Sequence, residues 1–156
     1  MRNCILLLLI LCLTFTGCAA EPADPVHTFD DLSIQIPTGY INLSSEEFAA
    51  DLNFVFGLDP IAVNGLREEK ATFDAYGLNL DLENYGNFVI LANNVSATLE
   101  QKDGIYTFSY ESGEFTYIAT IWETEDAFWT VQAYCPTKNY AKAKKDMWNI
   151  LRSVTV

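Results

Sequence analysis

Histidine and basic residues are scarce in this chain. One histidine and nine lysines and arginines stand against 21 aspartates and glutamates in 156 residues, a formal charge of −12. The histidine, His27, falls among prolines and small residues, where a solvated side chain is expected and not a general base. That weighs against serine and cysteine hydrolases whose nucleophile is activated by an imidazole. Cysteine is also thin, with Cys4, Cys12, Cys18 and Cys135 alone, so no set of His and Cys ligands suits zinc. The eight glycines are scattered singly, which leaves no loop to cradle a phosphate. The shortage of bases argues against nucleic acid, whose binding depends on neutralising phosphates. No apolar run approaches the roughly 20 residues that a spanning helix needs.

What the chain does have begins at its amino terminus. Met1-Arg2-Asn3 carries one positive charge, and Cys4 to Leu13 is an unbroken apolar run. A charged start, a short apolar stretch and small residues near a cleavage point make a secretory signal. Phe15-Thr16-Gly17-Cys18 resembles the lipobox of bacterial lipoproteins, matching at its last three positions and carrying Phe15 where that family prefers Leu. The resemblance implies removal of residues 1–17 and lipidation of Cys18, with the new amine acylated. Cys12 is a poorer candidate because bulky Leu11 precedes it. Each buried methylene contributes about 0.8 kcal/mol to membrane binding, and a multiply acylated cysteine supplies the second chain that stable anchoring requires. The protein is therefore expected outside the cytosol, held by lipid to the outer face of the cytoplasmic membrane or to another envelope membrane. Cys135 is then the one remaining thiol. It is expected to be a small buried hydrophobe in a domain without disulfides.

Residues 18–28, with Pro22 and Pro25, read as an extended linker, and residues 29–156 as one domain large enough to bury a core. Charge divides this part of the chain. Cys18 to Pro136 holds twenty acids against three bases, a formal −17, whereas Thr137 to Val156 holds five bases against one acid, a formal +4.

Along the domain, Leu32 to Ile36 alternates as a strand does, and Pro37 to Tyr40 turns the chain. Ser44 and Glu47 fit a capping box ahead of Phe48, Leu52 and Val55 or Phe56, which predicts a helix ending near Gly57. Asp59-Pro60 predicts a second helix, with Ala62, Leu66 and Phe73 on one face and Gly77 as its stop. Leu78 to Leu82 and Phe88 to Ala92 read as strands around an Asn84 to Asn87 turn, and Val95 to Lys102 has weak helical character. From Ile105 three antiparallel strands are expected: Ile105 to Tyr110, Phe115 to Trp122 and Phe128 to Cys135. Phe115, Tyr117 and Ile121 would face one way and Ile118 and Trp122 the other, which suits a sheet covered on both sides. A final helix over Lys138 to Arg152 presents Tyr140, Met147, Leu151 and Val154 for packing.

This order, with Pro37 and Gly39-Tyr40 after the opening strand, and Phe128-Trp129-Thr130-Val131-Gln132 leading through the Tyr140 helix to Ile150-Leu151-Arg152-Ser153, resembles the PsbP-like α/β/α sandwich. Tyr40 stands where many members carry Trp. The resemblance implies an α+β fold, an antiparallel sheet of about five to six strands flanked by helices on both faces, in a superfamily whose members mostly serve as binding or assembly modules.

The functional expectation is a membrane-anchored, non-catalytic binding or assembly module that needs no cofactor. Its partners are the membrane, through the lipid, and an unidentified protein or ligand. The candidate contact is the basic side of the last helix: Lys138, Lys142, Lys145 and Arg152. The plain alternative is a solvated face with cations favoured at a helix C-terminus. Two other classes stay open. One is a carboxylate enzyme such as a glycoside hydrolase, which would reveal itself by a pair of acids at catalytic separation. The other is a solute or metal binder, for which Asp81 to Ala92 is a calcium-loop candidate lacking acids at the fifth and twelfth positions, Tyr85 and Ala92. Trp122 and Trp129 are candidates for a sugar-stacking platform, with core packing as the alternative.

Overall fold

The computed structural model describes residues 23–156; the stretch expected to be a signal, Cys18 and the first part of the expected linker lie outside them. In order, the described chain forms β1 (Val26–Phe29), β2 (Leu32–Gln35), β3 (Ile41–Asn42), β4 (Phe54–Leu58), β5 (Ile61–Glu69), α1 (Lys70–Ala75), α2 (Leu82–Ala92), β6 (Glu100–Lys102), β7 (Ile105–Ser112), β8 (Phe115–Glu123), β9 (Ala127–Pro136) and α3 (Tyr140–Arg152). Strands β3 to β9 make a seven-stranded antiparallel sheet in the order β3-β4-β5-β9-β8-β7-β6, and β1 and β2 pair separately as a hairpin. The architecture is the expected α+β sheet with helices on both faces, extended by two short edge strands.

Alternation along the central strands builds two cores. On one face, Ile118, Trp129, Val131, Ala133 and Cys135 pack with Leu32 and Ile34 of β2 and with Met147, Ile150 and Leu151 of α3. On the other, Phe108, Ala119, Ile121 and Phe128 pack beneath Phe73, Tyr85 and Val89 of α1 and α2. Both sides of β8 and β9 are thus apolar because both are covered.

Tertiary context overrode local signals in four places. The helix expected after Ser44 shrinks to one 3₁₀ turn, Glu47–Ala49. Ser44 Oγ accepts instead from the Val55 amide at 2.9 Å, and Phe54 and Phe56 point into the core as a strand requires. Asp59-Pro60 turns the β4–β5 hairpin and starts no helix: Leu58 pairs with Ile61, and Ile61, Val63 and Gly65 alternate into the core. Proline at the start of a turn and proline at the start of a helix look alike locally. Neither strand expected at Leu78 to Leu82 and Phe88 to Ala92 forms: Leu78 to Asp81 is irregular and α2 takes up the rest, capped by the Asp81 side chain, which accepts from the Asn84 amide at 2.7 Å. Val95 to Lys102 is not helical either and ends in the edge strand β6.

The linker reading also needs correction. Val26 to Thr28 belong to β1, and His27 lies against Phe56, ring centres 4.8 Å apart, and is not a solvated linker residue. The hairpin is fastened by Asp31, whose carboxylate accepts from the indole N–H of buried Trp129 at 2.7 Å and meets Arg67 at 3.3 Å. Burial alone would raise the Asp31 pKa, but hydrogen bonds from Thr124, Arg67 and Trp129, with the Arg67 charge, hold it at about 2.

Candidate functional site

Helix α3 is positioned by its apolar stripe. Ala143, Met147, Ile150 and Leu151 are buried against the sheet, and the Ser153 hydroxyl closes the last turn by donating to Ile150 O at 2.6 Å. At 3.6 residues per turn, Lys142 and Lys145 fall away from that stripe; Lys138 sits in the turn just before the helix, and all three are exposed. Arg152 is engaged elsewhere: it pairs with Asp103 at 2.8 Å and lies over the Trp148 ring at 5.2 Å. The structure thus keeps three of the four basic candidates together and ties the fourth to the β6–β7 turn.

The lysines are not placed by the helix dipole. Cations are favoured at a helix C-terminus and disfavoured at its start, by about 0.3–1 kcal/mol each. Lys138 sits in the 3₁₀ turn Thr137–Asn139 that leads into α3, and Lys142 lies in the helix's first turn. Only Arg152 occupies the last turn. Among the described residues, none of the three lysines has a carboxylate within 4.0 Å.

A cavity opens on each flank of this ridge. One, of about 480 Å³, lies between α3, β2 and the β4–β5 turn; Pro60, Ile61 and Ile150 contribute its apolar lining, and Asp24, Asp59 and Asp146 its charge. Tyr40 lines it too, its hydroxyl pushed up to about 12 by burial and by the Asp146 charge. The other, of about 540 Å³, lies between α3 and β6–β7 and is lined by Tyr140, Lys144, Trp148, Lys102, Thr107 and Ser109, among others.

The other candidates are dispersed. Asp81 is occupied as a helix cap, and Glu83 accepts from the Tyr106 hydroxyl at 3.3 Å, so the two do not form an acid pair on a strand. With Asp81 to Ala92 folded as cap and helix, there is no calcium loop there. Among the described residues no cluster of three His, Cys, Asp or Glu is arranged to hold a metal. Trp129 is buried, and Trp122 packs against the same core with its indole N–H donating to Thr120 Oγ1 at 3.0 Å, so neither makes an open sugar platform. Cys135 is buried, and desolvation raises its thiol pKa. The buried polar contact of the second core is structural: Tyr85 donates to Glu68 at 2.7 Å and lies 3.0 Å from Thr130 Oγ1, and burial pushes its phenol well up.

Sequence reading passed over Lys102, Lys144 and Trp148. The spacing of Tyr140, Lys144 and Trp148, four residues apart, was a signal that one helix flank is aromatic and basic. Nothing local could have brought Lys102 to it.

No family model and no curated protein matches the chain. Solved structures do. The solution structure of cyanobacterial PsbP (CyanoP) from Synechocystis superposes with a TM-score of 0.59 at 14% identity, over 91% of this chain and 98% of that one. A Bacteroides thetaiotaomicron crystal structure superposes with a TM-score of 0.55 at 13% identity over 87% of this chain, which spans about half (48%) of that protein. The fold is PsbP-like.

Proposed function

We propose that this chain is a lipid-anchored, extracytoplasmic, non-catalytic binding module that meets an anionic membrane surface through Lys138, Lys142 and Lys145. The observation that carries the reading is the placement of these exposed cations, two of them at the end of α3 where its dipole opposes them, on an otherwise acidic body. Cations held against that preference, and without carboxylate partners among the described residues, are free to meet external charge. The PsbP-like fold is compatible with a binding role but does not establish one.

The tether fits such a contact. Pro25 O already accepts from the Ile36 amide at 3.1 Å, which leaves residues 19–24 between the lipobox cysteine and the hairpin. Six residues can span at most roughly 20 Å. A basic patch contributes about 1 kcal/mol per residue near an anionic leaflet, and its effect fades within a Debye length.

The test uses the soluble domain and anionic vesicles at low salt, with Lys138, Lys142 and Lys145 changed together to Gln in a second sample. Binding that weakens with added salt and disappears in the triple variant is expected. No binding by the parent domain refutes the membrane-facing role. Anchoring is tested separately in cells, where a labelled fatty acid should mark the parent protein and not Cys18→Ser.

A further inference from the structure

We propose that the cavity between α3 and the β6–β7 edge binds a small hydroxylated anion, a sugar carrying a phosphate or a carboxylate. The fold creates this trough because α3 packs chiefly over β9 while β7 and β6 extend the sheet beyond it. Thr107 and Ser109, on the same side of β7, line it from the sheet, and Tyr140, Lys144 and Trp148 line it from the helix. Ser96 and Thr98, from the segment before β6, complete its hydroxyl-bearing rim. Its volume of about 540 Å³ is that of a small-ligand pocket.

Two ammonium groups from separate elements mark the site for an anion. Lys144 Nζ lies 5.5 Å from the centre of the Tyr140 ring, and Lys102 Nζ lies 5.1 Å from that of Trp148. Among the described residues neither has a carboxylate within 4.0 Å, although the chain holds 21 acids. Cation–π contacts steady these flexible side chains without neutralising them. An entering anion therefore breaks no ion pair at either lysine, and each ammonium group that reaches it contributes a charge-assisted hydrogen bond. Glu100 also lines the trough and opposes a polyanion, which favours a ligand with one anionic group. The hydroxyls of Ser96, Thr98 and Ser109 then suit the neutral, hydroxylated remainder of a sugar.

This inference does not depend on lipid anchoring or on the outward lysines. The test is calorimetric titration at low salt of the full chain, in neutral detergent, with glucose 6-phosphate, glucuronate, glucose and inorganic phosphate. At least one of the two anionic sugars should bind about tenfold more tightly than glucose or inorganic phosphate, the gain expected from about 1.4 kcal/mol. Changing Lys102 and Lys144 together to Gln should weaken that binding about tenfold or more, as loss of charge-assisted contacts requires. The pair Lys138→Gln and Lys145→Gln should leave it unchanged, and circular dichroism should show both variants folded. The proposal is overturned if neither anionic sugar binds at about 10 mM, a free energy near 3 kcal/mol. It is equally overturned if inorganic phosphate binds as tightly as the sugars, if the Lys102 and Lys144 variant binds as the parent does, or if the outward pair weakens binding as much.

Discussion

Asp31 offers the sharpest test of how this fold is held together. Its carboxylate is the partner of the Trp129 indole N–H at 2.7 Å, and Trp129 is wholly buried. Replacing Asp31 with Ala leaves that donor unpaired in the core, which costs about 1–3 kcal/mol. It also removes the Arg67 contact at 3.3 Å, a partly exposed pair contributing about 0–1 kcal/mol. Asp31→Ala should therefore lose about 2–3 kcal/mol in urea unfolding. Asp31→Asn keeps an oxygen acceptor for the indole and removes only the charge, so it should lose about 1 kcal/mol. The pH dependence provides a second reading. The folded carboxyl sits at about 2 against an ordinary 3.8, so the folded state favours the anion. Its contribution is complete above about pH 4 and disappears as pH falls through about 2. After allowance for solvent screening it is about 1 kcal/mol, and Asp31→Asn should lack it. Equal stability of Asp31→Ala and the parent, or equal damage from the two substitutions, would refute the assignment of Asp31 as the indole's partner.

Other outcomes follow from single contacts. A methyl group on Gly65 would stand 2.2 Å from the Phe54 ring, which is itself buried, so Gly65→Ala should cost about 1–3 kcal/mol by overpacking and be read as a lower melting temperature. Asp81→Ala removes the α2 cap and should cost about 1 kcal/mol in the same assay, with Asp81→Ser restoring most of it. The buried Cys135 thiol should react with a disulfide reagent only when the domain opens, so labelling should accelerate sharply in urea.

The strongest legible parts of the sequence were those whose pattern and environment agree. Phe115 to Trp122 showed apolar residues at both parities, and β8 is indeed covered on both sides. The last helix was readable because Met147, Leu151 and Val154 recur at helical spacing and all are buried. Lys138, Lys142 and Lys145 were found by the same periodicity, since it also defines the opposite face. Misreadings arose where a local device serves two structures. Ser44 offers its hydroxyl to a strand amide eleven residues on and not to a helix start. Asn84 to Asn87, rich in turn-forming residues, lies inside α2 because Gly86 lets the helix approach Leu99 and Ile121 closely.

The chain's composition and periodicities alone determined an acidic, largely antiparallel domain closed by an amphipathic helix with a basic outer face, because charge count and hydrophobic spacing are properties of consecutive residues. Tertiary structure decided that His27 packs on Phe56, that Asp31 serves Trp129, and that Lys102 comes beside Trp148. Those pairs are separated by 29, 98 and 46 positions, and only the packing of the β1–β2 hairpin and of α3 on the sheet brings such distant residues together. A cavity is made by walls from different parts of the chain, so no local pattern could have announced it.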